Sequence, residues 1–110
     1  MGFINIFMVI GLIFLYHFLI AIAAAYISIN IRKNNFPIYS NIVVSLSYAL
    51  GWILSLKYLK IDLVKIGSLV DFSTFSGFYI GLYLLGGTIT ANQFIGLLLM
   101  LIGVFIINKD

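Results

Sequence analysis

Asp71 is the costliest residue for an apolar chain to carry, since it follows Leu69 and Val70 directly and precedes Phe72. An ionised aspartate at the centre of a lipid-embedded helix costs about 2.5–3.5 kcal/mol to insert, so such a group has a partner, a watery cavity or a chemical task. A position near the start of its segment leaves a second reading open, in which Asp71 lies at the headgroup level and pairs with a lysine of the preceding loop. His17 is the one histidine. Its neutral imidazole either satisfies itself by a hydrogen bond across helices or serves as a gated proton acceptor. Ser73 adds a hydroxyl beside Asp71, while Tyr48 and Trp52, four residues apart, present rings that stack on a sugar or cation or else simply pack. Asp71, His17, Ser73, Tyr48 and Trp52 are therefore the candidate substrate-binding residues. Lys57, Lys60 and Lys65 are read either as point charges for a phosphate headgroup or as topology signals.

Little other chemistry is available. Cysteine and glutamate are absent, and the acids are Asp62, Asp71 and Asp110. That excludes a disulfide framework and a thiolate nucleophile, and one histidine without cysteine gives a metal site no support. No serine has a base beside it except Ser73 and Ser76 near Asp71, so neither an enzyme nor a cofactor is expected. The composition points to an integral membrane protein: 64% of the 110 residues are hydrophobic, 8% are charged, and the mean hydropathy is +1.22. Long continuous apolar runs favour helices over an alternating β-barrel pattern. The net charge of +3 fits topology and anionic headgroups better than nucleic acid.

The elements that must position these residues are four spans, at about 3–29, 41–56, 66–85 and 91–107, forming one all-α transmembrane domain over 1–110. The first is longer than the roughly 20 residues a span needs, so it tilts or runs into the interface. Ala21-Ile22-Ala23 resembles a signal-peptide cleavage site, but a basic leading region is missing and the apolar part is too long. His17, Ala21, Ala24 and Ser28 form one small and polar stripe that should face protein. Ser73, Gly77 and Gly81 form a ladder of small residues at four-residue spacing in the third span, a pattern that lets helices approach closely. In the fourth, Gly96 and Gly103 lie seven residues apart on one face and are read as a helix-packing seam. Lys57, Lys60, Lys65 and Lys109 fall on one side of the membrane and Arg32 with Lys33 on the other, a four-to-two balance that favours both termini in the cytoplasm and leaves a dual topology open. Four helices of this size enclose too little space for a substrate path, so a dimer is expected.

The run Gly86-Gly87-Thr88-Ile89-Thr90, followed by Gln93-Phe94-Ile95-Gly96 and a helix ending at Ile106-Ile107-Asn108, resembles the final hairpin of the small multidrug resistance proteins and their EamA-like relatives in the drug/metabolite transporter superfamily. The resemblance covers about a quarter of the chain strongly, and the length and four-span layout agree with it. It implies a dimer held by the fourth helix, with Gly96 and Gly103 in the interface. The chain departs from the multidrug exporters in one respect: their first helix carries a glutamate at which proton and cationic substrate compete, and here His17 is the nearest substitute. Relatives without that glutamate include subunits that flip aminoarabinose-phosphoundecaprenol and similar lipid-linked sugars.

The expected function is therefore a transporter subunit in the plasma membrane, moving a polar or amphipathic molecule, with a lipid-linked sugar or polar-headgroup lipid preferred. It would work as a homodimer or as a heterodimer with a similar four-span chain. A cation exporter using Asp71 or His17 is the alternative within transport. A non-transporting assembly subunit is the rival of another class. In that case the polar residues would pair off dryly within the bundle.

Overall fold

The computed structural model describes residues 3–109 and is helical throughout; residues 1, 2 and 110 of the expected domain lie outside the described residues. Four helices follow in order: α1 (Phe3–Arg32), α2 (Ile38–Tyr58), α3 (Leu63–Leu84) and α4 (Ala91–Lys109). Three of them, α1, α2 and α4, are long and apolar enough to cross a membrane. The 22 residues of α3 extend for about 33 Å at 1.5 Å per residue, enough to cross, but Asp71 and the small polar ladder dilute its apolar character. The helices extend beyond the expected spans at most ends; α1 alone covers 30 residues, about 45 Å.

Local chemistry sets each boundary. Asn34 takes a left-handed backbone (φ 61°) after α1, and the amides of Asn34 and Asn35 reach back to the carbonyls of Ile31 and Asn30. Gly86 does the same after α3 (φ 93°), with its own amide and that of Gly87 bonded to Tyr83 and Leu82. Both ends are six-residue closures that satisfy carbonyls the helix leaves bare. Pro37 precedes the first turn of α2, where its missing amide costs nothing. Asp62 caps α3 by accepting from the Val64 amide. Thr90 and Gln93 cap α4 reciprocally, each side chain accepting from the other's backbone amide.

The helices pack unequally. Packing is closest between α1 and α3; α2 lies against both, and α4 meets α3 alone among the described residues. The contact between α1 and α3 is a parallel seam in which Gly77 faces Phe18 and Ala21 while Gly81 faces Ile22 and Ala25. Buried Ala21 and Ala25 line the α1 side. The seam thus keeps strict four-residue steps instead of drifting to Ala24 and Ser28, which are half-buried. At one end a small apolar core gathers Ile13, Leu59 and Ile66. In contrast, α4 buries no residue.

The distribution of polarity is inverted relative to a water-soluble bundle. His17, Ser55 and Ser73 are among the fully buried side chains, whereas Leu12, Leu46, Phe94, Leu99 and Phe105 are exposed. Small and polar residues inside with bulky apolar ones outside is the arrangement expected when the surroundings are hydrocarbon.

Candidate functional site

The residues expected to do chemistry fall in two places, one sealed inside the bundle and one on its surface. His17 is sealed inside. Gly51 on α2 leaves a notch that admits the rings of Tyr16 and His17, where a Cβ would stand 2.5 Å and 2.9 Å from them. Through that notch His17 Nε2 lies 3.1 Å from Ser55 Oγ. The Ser55 hydroxyl donates to the Gly51 carbonyl at 2.7 Å, so its single proton is committed and His17 Nε2–H is the donor between the two. This leaves His17 as the Nε2–H tautomer, with Nδ1 buried and unpartnered. Tyr16 completes the contact by donating to the Ser47 carbonyl at 2.9 Å. The arrangement is a dry interhelical clasp between α1 and α2.

The sequence signal for Ser55 is its four-residue step from Gly51, on a helix that also carries Ser40, Ser45, Ser47 and Ala49, so its partnership with His17 appears only once the register of α1 against α2 is known. Ser55→Ala should lower stability by about 1–3 kcal/mol, because it strands a buried donor. A denaturation midpoint indistinguishable from that of the unaltered protein would contradict the clasp. Adding His17→Leu to Ser55→Ala should cost less than the two single effects combined, since both members of the pair are then gone.

Ser73 is fully buried in the α1–α3 seam, and its hydroxyl donates to the Leu69 and Val70 carbonyls of its own helix at 3.0 Å and 2.9 Å. Asp71 stands two residues earlier, about 200° round the helix, and so points away from the seam. It is exposed and makes no hydrogen bond or ion pair among the described residues. It lies eight residues after Leu63, about 12 Å along α3, close to the helix midpoint. Phe72, next to it, packs against Phe14 with ring centroids 6.1 Å apart, which sets Asp71 within about one turn of the depth of His17. Tyr48 is half-buried, Trp52 is 41% exposed, and neither makes a hydrogen bond among the described residues.

The five candidates therefore do not converge. His17 and Ser73 are buried at different helix contacts, Asp71 is on the outer face of α3, and Tyr48 and Trp52 are on α2. Two cavities lie between the first turns of α1 and the end of α2, and neither is lined by Asp71 or His17. On α4, a Cβ added at Gly96 or Gly103 would meet nothing within 4 Å, so both glycines open onto the surroundings of the single chain. No group of three or more potential metal ligands occurs among the described residues. No known protein family, curated protein or solved structure matches the chain.

Proposed function

We propose that the chain is one half of a small membrane transporter, in which two four-span subunits pair and carry a polar or amphipathic molecule along the contact between them. The observation that carries this reading is Asp71, a carboxylate near the midpoint of α3 that faces outward without a partner. Hydrocarbon would make that placement costly, whereas a water-lined route bordered by a second chain relieves it. In this reading α3 crosses the membrane as well, with Ser73, Gly77 and Gly81 turned inward and its acid turned toward the partner. A lipid-linked sugar or polar-headgroup lipid is the preferred cargo, and the plasma membrane, with both termini cytoplasmic, is the location. Because α4 buries nothing within its own chain and leaves Gly96 and Gly103 open, it is the natural dimer contact. In the cation-exporter version Asp71 would be the working acid, since His17 is engaged with Ser55.

A second reading is favoured by the His17–Ser55 clasp itself. Polar groups that pair dryly inside a bundle serve rigidity, and a subunit that only stabilises a larger complex needs nothing more from them. Asp71 would then meet a cation on a neighbouring protein.

Flux into liposomes separates the two. Purified protein should move a lipid-linked sugar, a quaternary ammonium ion or guanidinium in the presence or absence of a pH gradient. Gly96→Leu and Gly103→Leu should run as monomers on detergent sizing and lose that flux. A folded, dimeric preparation that moves none of the three compounds would favour the assembly subunit.

A further inference from the structure

We infer that the chain holds an anionic phospholipid between α1 and α2, with its headgroup at Lys60. Two cavities, of about 230 Å³ and 260 Å³, lie side by side between α1 and α2 with Val9 and Tyr58 common to both linings, and together they make up the groove. The first is bordered by Ile6 and Lys60, and the second runs on past Leu12 to Leu54. From Ile6 to Ile13 the groove follows α1 for seven residues, about 10 Å into the depth of the bundle. A helix is about 10 Å across with its side chains, too wide for a crevice of this volume, whereas one acyl chain fits.

Charge distinguishes the mouth from the apolar interior of the groove. Lys60 lines the mouth and makes no ion pair among the described residues. The Lys57 ammonium lies 5.5 Å from the centroid of the Tyr58 ring, which lines both cavities. The nearby carboxylate, Asp62, is turned to the Val64 amide. A void opening onto hydrocarbon is filled by lipid tails, because its lining otherwise lacks contact partners. The Lys60 ammonium at its mouth then selects which lipid stays, by attracting a phosphodiester that carries net negative charge. The inference requires that α1 and α2 cross the membrane and is independent of any transport activity.

Native mass spectrometry of the full chain in detergent, with equal amounts of phosphatidylglycerol and phosphatidylcholine of the same acyl chains, tests it. Phosphatidylglycerol adducts should exceed phosphatidylcholine adducts about fivefold, the scale expected from one lysine near an anionic headgroup. Lys60→Ala should bring the two close to parity, while Lys109→Ala, a cation outside the groove, should leave the preference intact. Leu12→Trp, at an exposed position on the groove wall, should lower retention of both lipids. Glycerol phosphate, the headgroup without tails, should not be retained. Equal retention of the two lipids, an equal response to Lys60→Ala and Lys109→Ala, no effect of Leu12→Trp, or capture of glycerol phosphate would each overturn the assignment.

Discussion

Gly77→Leu should prevent α1 and α3 from packing and leave little monodisperse protein after extraction, and Gly77→Ala should already lower stability by about 1–3 kcal/mol. The cause is a backbone contact. A Cβ at Gly77 would run into the Phe18 carbonyl oxygen and stand 2.9 Å from the Ala21 Cβ, and a carbonyl in the middle of a helix has no rotamer to move into. Four residues on, Gly81 repeats the constraint against Ile22 and Ala25, so the two helices would have to separate along their length. Gly67 on the same helix is the control, because a Cβ there meets nothing within 4 Å. Removing a helix-interior glycine stabilises by up to about 0.5–1 kcal/mol, so Gly67→Ala should be neutral or slightly stabilising. Reversible unfolding in mixed detergent, comparing Gly77→Ala with Gly67→Ala, reads the difference. Equal midpoints would mean that the α1–α3 seam is looser than its glycines imply.

Asp71→Asn should reduce flux by about tenfold or more, equivalent to about 1.4 kcal/mol or more in the transport barrier, while leaving folding and dimer mass unchanged. Asparagine keeps the shape and loses the charge. Since Asp71 is exposed and makes no hydrogen bond or ion pair among the described residues, the substitution removes no polar contact of the bundle. His17→Asn should behave in the opposite way, lowering stability through loss of the contact with Ser55 without abolishing flux in what remains folded. If Asp71→Asn instead destabilised the chain and spared flux, the carboxylate would be a structural anchor.

Much of the fold is legible in the sequence, for physical reasons that can be named. Charge and turn chemistry punctuate the apolar runs, so Arg32-Lys33, the stretch from Lys57 to Lys65 and the Gly86-Gly87 turn mark where helices end or pause. The ladder Ser73, Gly77 and Gly81 reads directly, because small residues at four-residue spacing in an apolar helix make room for a neighbour. Asp71 is expected in one site with Ser73, but the ladder faces α1 and the two residues between them carry the carboxylate to the far side of the helix. Other features depend on how helices sit against each other. The small stripe on α1 is expected to run through His17, Ala21, Ala24 and Ser28, whereas the contact with Gly81 is made by Ala25, which depends on where α3 sits. The His17–Ser55 pair depends on the register of α1 and α2. The groove at Lys60 is a space between side chains, which no single segment encodes.

The absence of cysteine allows single thiols to be placed without background. The most direct measurement is therefore the reactivity of Asp71→Cys toward a charged, water-soluble thiol reagent in intact membranes, compared with Leu46→Cys, an exposed position near the middle of α2. If Asp71 borders a water-lined route between paired chains, its cysteine is modified readily while that at Leu46 stays inert. Equal inertness at both positions would place Asp71 in a dry contact or against lipid, and would contradict transport along this face.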